Sequence, residues 1–194
     1  MTIPILVGSL RPNGNHVGLS QMLLECCKTH GVDAALASDL LPAGPTIPTG
    51  PVLDDLIPAA VQDSSQYNDS NVQEWSKVIS NSSAIIILSP QYNWGIPGNL
   101  KNSLDAIFHE WQGKPFLVIT YGGHGGDKCG DALKLVIEGG LHAIMVTEPV
   151  NISIPKELIV GAKRVDPSDP DQKEFREQFE EALEAPLKLL KEKI

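Results

Sequence analysis

Three stretches rich in glycine and proline carry the side chains best suited, by type and spacing, to hold a ligand. Gly8-Ser9-Leu10-Arg11-Pro12-Asn13-Gly14-Asn15-His16 sets two donors, Ser9 and Arg11, among small residues that let backbone amides turn inward. With the partial positive charge of a helix start behind it, such a loop suits a phosphate. GxxxxGK[ST] and GxGxxG are both absent, and the stretch also reads as an ordinary turn with a surface arginine. In Pro90-Gln91-Tyr92-Asn93-Trp94-Gly95-Ile96-Pro97-Gly98, two aromatics stand among residues that fix the backbone. Their flat faces, beside amide donors and acceptors, match a planar heterocycle. They also read as caps on the core or as a contact between copies. Tyr121-Gly122-Gly123-His124-Gly125-Gly126 lets something flat approach the main chain, with His124 as a possible donor or simply a solvated loop residue.

The elements that hold these loops follow from hydropathy. Ile3 to Val7, Ala84 to Leu88 and Phe116 to Ile119 are apolar runs without polar alternation, the pattern of parallel strands covered on both faces. Val32 to Ala37 and His142 to Thr147 are weaker candidates. Amphipathic helices are predicted over His16 to His30, capped by Gly31, over Ser70 to Asn81, opening on SNVQ, over Pro97 to Trp111, and over Asp127 to Glu138. A last helix is expected over about 171–193, with Pro186 breaking or kinking it. The alternation predicts one α/β domain over residues 1–194, built on an open, doubly wound parallel sheet. Ligands of such sheets bind at the carboxyl ends of the strands, where all three loops lie. An insertion over 41–69, holding Pro42, Pro45, Pro48, Pro51 and Pro58, reads either as a lid or interface arm or as a padded surface loop.

Composition narrows the partners. The 194 residues carry a formal net charge of −9, which disfavours nucleic acid and anionic membranes. No basic leader or long apolar run appears, and the expectation is a cytoplasmic protein. Cys26, Cys27 and Cys129 have neither a disulfide framework nor zinc spacing, so no metal is expected.

The runs GSLRP, SPQYNWGIPGNLKNSLD and YGGHGG resemble the NAD(P)H-dependent FMN reductase family of quinone, azo-dye and chromate reductases, its fungal members most of all. The resemblance covers about Ile3 to Pro149. It implies a flavodoxin-like, five-stranded sheet of order 2-1-3-4-5 with helices on both faces. It implies FMN as cofactor and NADPH or NADH as co-substrate. The phosphate would lie on Ser9, Arg11, Asn15, His16 and Val17. Pro90, Gln91, Tyr92 and Asn93 would frame the ring, and Gly122, Gly123 and His124 would meet its pyrimidine end. Members are commonly homodimers, sometimes tetramers, which makes the Asn99 to Trp111 helix the expected interface. This chain has Pro12-Asn13-Gly14-Asn15-His16 where the family often carries a second basic or hydroxyl residue.

A bound flavin would carry the chemistry, so no catalytic side chain is required, His124 being the one possible exception. The acceptors would be small molecules such as quinones, azo compounds or free flavin. A flavodoxin-type electron carrier and a flavin-dependent regulatory or scaffold protein are the alternatives. A Ser9 hydrolase resembling the SGNH esterases lacks a late histidine, His142 being the last, and no GxSxG elbow is present.

Overall fold

The computed structural model describes residues 1–43, 46–50 and 55–194. Its parallel sheet contains β1 (Ile3–Val7), β2 (Ala34–Leu36), β3 (Ile85–Pro90), β4 (Pro115–Gly122), β5 (Ile144–Met145) and β6 (Val150–Ser153). The order is β2-β1-β3-β4-β5, as expected, with β6 also pairing with β4. Successive side chains of a strand point to opposite faces, and here both faces are buried. Ile3, Ile5, Ile86, Leu88, Leu117 and Ile119 enter one core, while Leu6, Ile85, Ile87, Phe116 and Val118 enter the other. That is why the strands read as unbroken apolar runs.

Helices α1 (His16–Thr29) and α6 (Lys173–Lys191) cover the first face, through Leu19, Met22, Leu23, Phe179, Leu183 and Leu187. Helices α2 (Ser70–Ser80), α3 (Gly98–Asp105) and α4 (Asp127–Leu135) cover the second, where Trp75 and Trp111 meet edge to face at 5.9 Å. A short α5 (Lys156–Val160) follows β6. Gly31, at φ +67°, takes the left-handed conformation that ends α1, as its glycine suggested.

Several boundaries differ from expectation, each for a local reason. The fifth sheet position is two strands rather than one, making six among the described residues. β5 pairs with Pro115 and Phe116, and β6 resumes the pairing at Ile119 after a break at 146–149. Pro149, which has no N–H, lies in that break. Helix α3 ends at Asp105, and Trp111 belongs to a separate turn, His109–Trp111. Its indole N–H lies 3.1 Å from the carbonyls of both Leu104 and Ile107, which a continuing helix would have used. Helix α4 passes at Val136 into a wider π turn, Val136–Gly140. The cap of α2 is Asp69, which accepts from Asn71 N–H at 2.8 Å, not the serine of SNVQ. Helix α6 runs unbroken through Pro186, held by Leu183, Leu187 and Leu190 on either side of it.

Where described, the insertion lies against α2 and α3. Asn102 Nδ2 donates to Thr49 O at 2.8 Å, and Val61 and Tyr67 enter the second core. Pro45 and Pro51 lie outside the described residues.

Candidate functional site

The strand register brings the three loops to one edge. Val7 is level with Leu88, and Pro90 with Tyr121, so the chain leaves β1, β3 and β4 side by side. Between β1 and β3 the connections diverge to opposite faces, which opens the crevice such sheets use for ligands.

Glycine at position 8 makes the first loop possible. Its N–H donates to Leu88 O at 2.9 Å, continuing the ladder, and a Cβ there would lie 2.3 Å from Ser89 Oγ. Ser9 is therefore drawn inward, 4% exposed, with its Oγ 3.1 Å from the Tyr92 hydroxyl. Arg11 is exposed, and its guanidinium stands 4.8 Å from the centre of the Tyr92 ring, a cation–π contact. The first and second loops thus meet through three of the residues singled out by sequence.

At the start of α1, Asn15 occupies the cap position yet its side chain caps nothing. Its amide instead donates to Leu158 O at 3.0 Å and accepts from Val165 N–H at 3.0 Å. The first N–H groups of a helix lack intrahelical partners, so a start without a side-chain cap suits an anion. His16 is half-buried, its Nδ1 has no partner, and burial holds its pKa below the usual histidine value. Val17 is largely exposed beside it.

In the second loop, Tyr92 and Gly95 exchange backbone hydrogen bonds at 3.2 and 3.0 Å. The two residues between them, Asn93 at φ +48° and Trp94 at φ +64°, are left-handed. Asparagine tolerates this conformation, whereas a bulky tryptophan adopts it only under constraint. The result is a tight turn that holds the Trp94 indole in solvent, 76% exposed. Gln91 Oε1 accepts from Cys129 N–H at 3.1 Å, tying this loop to the first turn of α4.

The third loop turns on Gly125 and Gly126, at φ +74° and +79°. The Thr120 hydroxyl lies within hydrogen-bond reach of Gly125 O and of Asn151 Oδ1, and so fixes the loop from beneath. Gly123 and His124 are exposed at its tip.

Two features of the site escaped the sequence reading. Tyr121, the last bulky residue of β4, is buried with its phenol beside Ser9 and Tyr92, and burial pushes its pKa well above the usual tyrosine value. Its place just before the glycine run was the available signal. The other is the C-terminal segment against Asn15, for which no local signal existed. Cys129 is buried, and its thiol is pushed up to about 11 by burial, so it stays neutral. Among the described residues no group of His, Cys, Asp and Glu could hold a metal ion. No described helix is long and apolar enough to cross a membrane.

Comparison with known proteins points the same way. The sequence pattern of the NADPH-dependent FMN reductase family matches residues 1–156. The NAD(P)H-dependent FMN reductase LOT6 of Saccharomyces cerevisiae is 42% identical over 111 residues, which is 55% of this chain and 58% of that protein. The NAD(P)H-dependent FMN reductase C4B3.06c of Schizosaccharomyces pombe is 38% identical over 102 residues, 53% of this chain and 50% of that one. The chain thus spans about half the length of the curated relatives it matches. Among solved structures, the flavoenzyme NAD(P)H:(acceptor) oxidoreductase FerB of Paracoccus denitrificans superposes with a TM-score of 0.67 at 22% identity, covering 99% of this chain and 98% of that one. The flavodoxin-like fold is shared.

Proposed function

The chain belongs to the NADPH-dependent FMN reductase family, and from that premise we propose a flavoenzyme that holds FMN between the three loops and oxidises NADPH or NADH. The observation that carries this reading is the meeting of Ser9, Arg11, Tyr92 and Tyr121 at one sheet edge, beside a helix start without a side-chain cap.

The residues present fit the group. Ser9, Arg11 and the helix start at His16 and Val17 would take the phosphate. Pro90, Gln91, Tyr92 and Asn93 would frame the ring, and Gly122, Gly123 and His124 would meet its pyrimidine edge. A Cβ at Gly126 would lie 3.1 Å from Tyr121 O, so only glycine brings this main chain round to a flat ligand. When bound, FMN supplies the redox chemistry, taking hydride from a nicotinamide and passing reducing equivalents to an acceptor.

The protein binds and orients. Backbone N–H groups of the second and third loops would stabilise negative charge on the ring system. The Gln91–Cys129 bond holds the second loop against α4, so those donors are fixed before a substrate arrives. The exposed tips at Asn93, Trp94, Gly123 and His124 leave room for two substrates to come and go in turn. Small acceptors such as quinones, azo compounds or free flavin suit a mouth of that kind. An apolar groove of about 750 Å³, bordered by Leu104, Ile107, Phe108, Leu135 and Leu141, supports assembly as a homodimer through α3 and the end of α4. Three buried free cysteines suit a reducing compartment, which favours the cytoplasm.

The test is direct. The purified protein should be yellow or take up added FMN, release FMN on heating, and bleach when NADPH is added without oxygen. Steady NADPH oxidation with a quinone should follow, which a one-electron carrier would not support. A colourless protein that refuses FMN would overturn the reading.

A further inference from the structure

We propose that residues 158–172 form a strap that fixes the geometry of the first loop, with Gln172 as a positioning residue for the phosphate end of FMN. This rests on the FMN reading above. Apart from its anchor on Asn15, the strap lies beyond the family-matched residues 1–156.

The strap grips the loop by its backbone and by one side chain. Asn15 donates to Leu158 O and accepts from Val165 N–H, both at 3.0 Å, so one amide joins the helix start to two points of the strap. Arg164 Nε donates to Asn13 O at 2.9 Å. A Cβ at Gly18 would lie 2.0 Å from Val165 O, so strap backbone lies directly on the first turn of α1. Leu158 and Val165 also bury their side chains in the first core, which anchors the strap to the sheet. A cleft of about 760 Å³, bordered by Pro12, Asn13, Gln21, Lys163 and Gln172, lies beside these contacts. Beside that cleft, hydrogen bonds tie Asn13 and Asn15 of the loop to the strap.

Gln172 holds the strap in its turn. It is 9% exposed. Its Nε2 donates to Arg164 O at 3.0 Å and to Asp169 Oδ2 at 3.1 Å, and its Oε1 accepts from Asp166 N–H at 3.1 Å. Arg164 Nη1 donates to Gly161 O and Lys163 O, both at 2.6 Å, which curls the strap around its own guanidinium. Every one of these bonds stays within the strap, so Gln172 acts on the loop only through Arg164 and Val165. Loosening the strap costs preorganisation of the phosphate-binding backbone and leaves the ring-binding loops alone.

FMN and riboflavin differ only by the phosphate, which makes them the two probes. In the full chain, Gln172→Ala should weaken FMN binding about fivefold to tenfold, the effect of one or two lost hydrogen bonds, while riboflavin binding stays as in the wild type. Both are read by quenching of flavin fluorescence, with a thermal melt on each protein. Asn15→Ala should show the same selective loss, and the double variant should be no worse than the worse single one. If Gln172→Ala does not fold, Gln172→Glu serves, since it keeps the acceptor for Asp166 and loses the donor to Arg164. Unchanged FMN affinity, equal weakening of FMN and riboflavin, or additive single effects would each overturn the strap's role. A wild-type protein that binds riboflavin but gains nothing from the phosphate would overturn it too. One that binds neither flavin would bring down the functional reading itself.

Discussion

His16 shows how much one side chain at the site depends on its surroundings. Burial favours its neutral form in the folded protein, so its folded pKa lies below the ordinary value of 6.5. The unfolded chain then binds the proton more readily, and the contribution of His16 to stability is lost as pH falls through 6.5 toward the lowered value. Denaturant unfolding of the FMN-free protein should show stability dropping between pH 7.5 and 5, and His16→Asn should flatten that drop. Parallel profiles for the two proteins would mean that His16 is not held neutral. At this scale the sequence was legible where the chemistry is local. Ser9, Arg11 and Tyr92 stand out because small and rigid residues surround them just past a strand, and the structure brings them together. Asn15 was named only through the family resemblance, and its two bonds run to Leu158 and Val165, more than a hundred residues along the chain. No local pattern encodes that partnership.

At the scale of elements, the unbroken apolar runs marked the three central strands because each feeds two cores at once. What local pattern misplaced were ends and interruptions. Leu104, Ile107 and Trp111 keep helical spacing although the helix stops at Asp105, because all three still face the same core. Pro186 was the opposite case, a local breaker overruled by tertiary packing. It removes a hydrogen bond from the interior of α6, where Leu183, Leu187 and Leu190 are fully buried. Proline inside a helix costs about 3 kcal/mol relative to alanine, partly offset by the greater freedom alanine has when unfolded. Pro186→Ala should therefore stabilise the protein by about 2 kcal/mol and raise its melting temperature. A lower melting temperature would show that the helix needs the ring for packing.

The described residues form a sheet with a core on each face, and the candidate site lies where chain connections part to opposite sides. The alternation of strands and helices made an open, doubly wound parallel sheet legible, and its order came with the family resemblance of the three loops. Of the split edge strand, β5 lies within the weak run His142 to Thr147, whereas β6 was missed because it is short and buries only Ile152. The three tryptophans are divided between these regimes. Trp75 and Trp111 are wholly buried against one another, whereas Trp94 stands 76% exposed on its constrained turn. In optical terms the protein carries two emitters in a dry, rigid shell and one in water. The native spectrum should separate into a blue-shifted component that acrylamide barely touches and a red-shifted one that it quenches. Trp94→Phe should remove the quenchable part alone, and substantial quenching of that variant before it unfolds would contradict the assignment. Emission from the buried pair then reports the collapse of the fold, while emission from Trp94 reports events at the mouth of the candidate site.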